Sequence, residues 1–175
     1  QLLSILERRA DAPGARPAER PGIPLAMSAL LVNAVGERGL GHEIDREIAS
    51  ADEVDLLCSF VKWSGLRIVR EALRALVARG GRVRVLTTVY MGATQRRVLD
   101  ALAGLGAEVR VSYDTERTRL HAKAWLVRRK TGFDTAYVGS SNLSSAAMLD
   151  GVEWNVRLSR VDAPGLIAKF SGTFE

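Results

Sequence analysis

Two hydrophobic rhythms alternate along this chain, one of helical spacing and one of strand spacing. Leu66, Val69, Leu73, Leu76 and Val77 fall on one helical face, and Gly80-Gly81 ends that stretch. Val98, Leu99, Leu102 and Leu105 mark a second helix closed by Gly106, and Ile44 and Ile48 lie one turn apart within 41–51. Residues 25–35 are apolar and helix-like, and 166–175 also read as helical. Strands are expected over 54–60, 83–88 and 108–112, each separated from the next by a helix. This order implies crossover connections and parallel pairing.

The rest of the chain follows another grammar. Segments 122–128 and 135–138 are separated by a Lys130-Thr131-Gly132 turn, which is the layout of a hairpin. A short helix over 144–148 and a strand over 152–158 follow. In that strand Val152, Trp154, Val156 and Leu158 are expected to face the core, with Glu153, Asn155 and Arg157 turned away. The fold class is therefore α/β, a mixed, largely parallel β-sheet flanked by helices on both faces. Pro13, Pro17, Pro21 and Pro24 cannot sit in a helix interior or a central strand. Residues 1–24 accordingly read as an N-terminal segment and proline-rich linker or arm, and 25–175 as one domain cut from a longer protein.

Composition narrows the setting. With 47% hydrophobic residues among 175, one full core is affordable. No apolar run approaches the roughly 20 residues of a membrane helix. The single cysteine, Cys58, cannot close an internal disulfide and reads as a small buried hydrophobe. These features fit a soluble, cytoplasmic protein. An excess of 25 Lys+Arg over 20 Asp+Glu suits a polyanionic partner, although the dominance of arginine over lysine also follows from genome composition. Aromatic residues make up only 6%, which argues against extended base stacking.

Three short segments carry candidate chemistry. His121 and Lys123 emerge on the same strand face, pairing a nucleophile or proton carrier with fixed positive charge for an anionic guest. Gly139-Ser140-Ser141-Asn142 joins a strand to a helix, where amides and small polar side chains face a bound oxyanion. Glu153 supplies a carboxylate able to fix an imidazole tautomer. Taken singly, each segment also fits an ordinary polar strand or a capped turn.

Together they resemble the phospholipase D superfamily, whose motif runs H-x-K-x4-D-x6-G-S-x-N. The match covers His121, Lys123, Gly139, Ser140 and Asn142, with Glu153 where many members carry a glutamate. The wording around T-R-L-H-A-K-A-W and G-S-S-N-L-S is similar to the N-terminal module of certain bacterial superfamily II helicases and, more distantly, to restriction nuclease domains. Two departures stand out: Arg128 occupies the aspartate position, and the Lys123–Gly139 spacing is longer, which the turn near Gly132 would absorb.

The resemblance implies a phosphodiesterase needing no metal or cofactor. His121 would attack phosphorus, Lys123, Ser140, Ser141 and Asn142 would hold phosphate oxygens, and Glu153 would orient the imidazole. Such a site uses two histidines. The other one, His42, has no H-x-K partner and reads as a helix-terminal surface residue. A homodimer sharing His121 from a second chain is therefore expected. The leading function is a nucleic-acid phosphodiesterase, favouring DNA over RNA, within a helicase or defence protein that carries a C-terminal helicase domain. A degenerate phosphate-binding module is the main alternative, kept open by Arg128, and a lipid phosphodiesterase without membrane-spanning parts ranks third. Arg117, Arg119 and Arg157 are candidates to line the approach.

Overall fold

A computed structural model describes residues 21–34, 39–117 and 119–174. Most of the proline-rich stretch lies outside them. The order of elements is β1 (Ala29–Val32), α1 (Leu40–Ala49), β2 (Glu53–Cys58), α2 (Trp63–Ala78), β3 (Arg82–Thr88), α3 (Arg96–Gly104), β4 (Glu108–Ser112), β5 (Lys123–Arg128), β6 (Thr135–Gly139), β7 (Trp154–Ser159) and α4 (Pro164–Thr173). A single 3-10 turn, Tyr90–Gly92, follows β3, and a π-helical turn, Ala146–Asp150, precedes β7.

The strands form one seven-stranded sheet in the order β1-β7-β6-β5-β2-β3-β4. The expected mixed α/β architecture is present. Its parallel part is confined to β2–β3 and β3–β4, the two pairs joined by crossover helices. The other four pairings are antiparallel. The β5–β6 hairpin turns through Gly132, whose φ of 81° is open to a residue without Cβ.

One face of the sheet packs against α1, α2 and α3. Val54, Leu56, Val85, Trp125, Val127 and Tyr137 meet Ile44, Ile48, Leu66, Val69, Leu73 and Val98 there. The opposite face is covered in part by α4, where Ile167 packs on Leu126 and Ala136. Helices thus lie on both faces.

Three expectations are corrected. The sheet is mostly antiparallel rather than largely parallel, because crossover helices join only β2, β3 and β4. Residues 25–35 hold a strand, β1, rather than a helix, because pairing with β7 overrides an apolar run that lacks a clear period. In β7 the phase is inverted: Asn155, Arg157 and Ser159 are buried, while Trp154 and Val156 are 63% and 41% exposed. The cause is a carboxylate placed by α1 beneath the sheet. Arg157 donates from Nε to Glu47 Oε1 at 2.9 Å, and Asn155 Nδ2 donates to Ser141 Oγ at 2.8 Å. Arg129 also donates to Glu47, as does the Tyr137 hydroxyl at 3.1 Å. Buried polar groups must be paired, so these partners pull the polar residues inward and leave the apolar ones on the thinly covered face. Arg157 therefore lines no approach to the site.

Candidate functional site

The site lies where β2 ends, β5 begins and β6 ends. Antiparallel register sets Cys58 opposite Lys123, which brings the H-x-K segment to the end of β2. The β6–β7 register, Gly139 opposite Asn155, brings the G-S-S-N segment to the same edge. Two glycines permit this closeness. A Cβ at Gly139 would stand 2.2 Å from the Trp154 carbonyl oxygen, and one at Gly65 would stand 2.3 Å from the Leu143 carbonyl carbon. With neither present, the turn carrying Asn142 is stitched to β2: Leu143 N donates to Phe60 O at 3.2 Å, and Lys62 N donates to Leu143 O at 2.8 Å.

His121 is exposed, and Lys123 behind it is buried. Lys123 Nζ lies 3.2 Å from Nδ1 and 3.1 Å from Nε2 of His121, and donates to the His121 carbonyl at 3.1 Å. An ammonium has no acceptor to offer, so it favours an imidazole with a free lone pair toward it. The Phe60 ring meets the imidazole edge-on, with centroids 6.0 Å apart. Burial pulls the Lys123 pKa down from the usual lysine range, opposed by nearby Cys58 and by Glu153. A bound phosphate would favour the ammonium form.

Asn142 is oriented from behind. Its Oδ1 accepts from Phe60 N at 3.2 Å and lies 3.8 Å from the Cys58 thiol, whose nearer acceptor is Phe60 O at 3.2 Å. Burial pushes the Cys58 pKa up, so the thiol keeps its proton to donate. With Oδ1 occupied, Nδ2 is the group left to meet an oxyanion.

The remaining candidates are placed less directly. Ser140 is exposed and exchanges hydrogen bonds with Trp154, from Trp154 N at 3.1 Å and to Trp154 O at 3.4 Å. Ser141 is buried, donating to Ala147 O at 3.1 Å and accepting from Asn155, so it braces the turn. Glu153 is half-buried; its charge is felt by Lys123, and no hydrogen bond joins it to His121. His42 is exposed on the first turn of α1 with no contact to His121. Arg128 sits at the far end of β5, about 16 Å along the strand from Lys123. There it pairs with Glu53 at 2.9 Å and Asp55 at 2.6 Å, away from His121 and Lys123.

Sequence reasoning missed the roles of Cys58 and Phe60. Both depend on the β2–β5 register, and no local pattern reports it. Among the described residues no cluster of three or more His, Cys, Asp or Glu side chains is arranged to hold a metal ion. Nor is any helix among them long and apolar enough to cross a membrane.

The fold is similar to that of NucT from Helicobacter pylori, with a TM-score of 0.63 at 17% identity, covering 85% of this chain and 92% of that one. Nuc from Salmonella typhimurium, a phospholipase D family member, gives 0.62 at 23% identity over 84% and 91% of the two chains. Yeast tyrosyl-DNA phosphodiesterase gives 0.51 at 9% identity, covering 75% of this chain and 32% of that one. No curated protein matches the sequence significantly. The family described as "Cardiolipin synthase, PLD-like domain" matches residues 44–175, a stretch that holds every side chain of the site. The chain belongs to that phospholipase D-like family.

Proposed function

We propose that this chain is a nucleic-acid phosphodiesterase working through a phosphohistidine, with DNA as its preferred substrate. The contact that carries the reading is Lys123 against His121, which sets a fixed cation beside an exposed imidazole. A ring nitrogen of His121 attacks phosphorus, and the P–O bond to the leaving strand breaks. The leaving oxygen takes its proton from His121 of the partner subunit. Water then attacks phosphorus, giving its proton back to the partner's His121; the P–N bond breaks, and His121 is regenerated. Lys123 and Asn142 Nδ2 balance the charge that builds on the non-bridging oxygens. Ser140 stands at the rim of this pocket, and Glu153 contributes negative charge that partly opposes the lowering of the Lys123 pKa by burial.

The shared site requires a homodimer, because the chain's other histidine, His42, stands on the first turn of α1 without an H-x-K partner. A surface for the second copy is available on the uncovered sheet face. Leu30, Val138, Trp154 and Val156 are all exposed there, in one cross-strand array that reaches the site edge at Trp154. Yeast tyrosyl-DNA phosphodiesterase, whose name gives a DNA-linked substrate, shares the fold. A helicase domain on the C-terminal side would deliver strands to this module. The pairing of Arg128 with Glu53 and Asp55 supports the catalytic reading over a binding-only role.

Incubation with DNA in EDTA, beside His121→Ala, tests the proposal. Cleavage that persists in chelator and disappears in the variant supports it. Salt-dependent binding with no cleavage by either protein supports the binding module instead. Full hydrolysis by a species that sediments as a monomer refutes the shared site.

A further inference from the structure

Of the four Phe, three Trp and three Tyr in the chain, Phe60, Trp63, Tyr90 and Tyr113 follow the ends of β2, β3 and β4, on the sheet edge where β5 begins just after His121. Composition alone pointed away from base stacking; the fold gathers a sparse supply at one edge. Tyr113 follows β4 and is 77% exposed, and Met91 follows β3 and is 74% exposed. Met91 is also the sole non-glycine residue with positive φ among those described, at 60°. A left-handed methionine costs folding energy, and such strain is characteristic of functional loops.

Guanidinium groups accompany the rings. Arg97 and Arg70 lie over Trp63, at 5.5 and 5.8 Å from its ring centre, and Arg119 lies over Tyr90 at 5.6 Å. Arg119 is two residues from His121. The loops bearing these groups are tied to the strand ends and to each other. Trp63 N donates to Gln95 Oε1 at 2.8 Å, Gln95 N donates to Val61 O at 3.0 Å, and Val89 N donates to Ser112 O at 3.2 Å. A surface held in advance loses little entropy when it binds.

We propose that this edge, from β5 across to β4, is a track for a single-stranded nucleic acid on one side of the scissile phosphate. Bases stack on Tyr113 and Met91, and phosphates meet Arg119 and Arg97. The inference rests on the phosphodiesterase reading of the His121 site. Three strand spacings separate β5 from β4, about 14 Å, which accommodates roughly two to four nucleotides according to how far the strand is stretched. A duplex keeps its bases stacked on one another and offers the exposed rings nothing to cover them. An unpaired strand offers π-faces and phosphates together.

The test uses the whole chain carrying His121→Ala, with labelled 12-nucleotide single-stranded DNA and the matching duplex read by fluorescence anisotropy. The single strand is expected to bind at least about tenfold more tightly. Tyr113→Ala should weaken single-strand binding by about five- to a hundredfold and leave the duplex unchanged, while Tyr113→Phe should retain it. Replacing Arg119 or Arg97 by Gln should each lower the salt slope for the single strand by about 0.7. Equal affinity for strand and duplex, or unchanged single-strand affinity in Tyr113→Ala, overturns the track. Hydrolysis of bis(p-nitrophenyl) phosphate by the chain with His121 intact separates the two readings. If it proceeds while the track variants show no effect, the phosphodiesterase stands and the track fails. If it is absent while single-strand binding behaves as described, the track stands and the phosphodiesterase fails.

Discussion

Replacing Glu47 by glutamine removes a carboxylate that neutralises two guanidinium groups in the core while keeping its shape. Glu47 accepts from Arg157 Nε at 2.9 Å and Nη2 at 2.5 Å, from Thr135 Oγ1 at 2.9 Å, from the Tyr137 hydroxyl, and from Arg129. Glu47, Arg129 and Arg157 are all buried, so the charges left behind cannot turn to water. Breaking a buried pair by removing one partner costs about 3–5 kcal/mol. That is a large share of the 5–15 kcal/mol typical of a domain. At about 2–4 °C per kcal/mol for a chain of this length, the midpoint should fall by about 6–20 °C. Thermal and urea unfolding followed by circular dichroism measure this. Glu71→Gln, which breaks the exposed pair with Arg74, is the control and should shift the midpoint hardly at all.

The same cluster carries a pH signature. Burial raises the Glu47 pKa, but Arg129 and Arg157 more than offset it, so the net shift is downward. A carboxyl with a depressed folded pKa contributes stability that is present above its unfolded value, about 4.3. That stability is lost as pH falls through the folded pKa. The loss should be missing from Glu47→Gln, whose acid limb flattens. A Glu47→Gln melt within about 2 °C of the parent, with an unchanged acid limb, refutes the account of this cluster.

Other outcomes follow from the site. Burial lowers the Lys123 pKa, so inorganic phosphate should leave the His121 pocket as pH rises through a value below that of free lysine; Lys123→Arg should carry binding to higher pH in an equilibrium titration. Gly139→Ala drives a Cβ against the Trp154 carbonyl, a backbone group that cannot step aside, and should cost about 2 kcal/mol or more in urea unfolding. Cys58→Ala removes the thiol that packs beside Asn142 and donates to Phe60 O, and with it one acceptor for Leu143 N; turnover should fall about three- to tenfold, with a stability loss of about 1–3 kcal/mol.

How much of this was legible in the chain depends on the range of the signal. Helices α2 and α3 are written in Leu66, Val69, Leu73, Val98 and Leu102, whose spacing is local. The hairpin around Gly132 is equally local. His121, Lys123 and Asn142 could be named because motif order survives in sequence. What failed was the phase of β7. Alternation reports that two faces differ, and the apolar face is ordinarily the buried one. Here Glu47, more than a hundred residues away along the chain, reverses the choice by drawing Arg157 inward. The support of Asn142 by Cys58 and Phe60 was hidden for the same reason, as it arises only when β2 and β5 pair. Strand β1 was misread because four apolar residues in a row have no period.

Arg157 also has a bearing on where the folding unit begins. The family match starts at residue 44, yet Arg157 Nη1 donates to Pro24 O at 3.1 Å and to Met27 O. Gly22 N donates to the Glu43 carboxylate at 2.9 Å, and Leu25 is wholly enclosed. Strand β1 forms an outer border of the sheet against β7. A fragment trimmed to the family boundary would lose that border, bare the backbone of β7 to any strand seeking a partner, and strip a buried guanidinium of two acceptors. A shortened version meant to keep its fold must therefore begin ahead of Gly22, well upstream of the residues that identify the family.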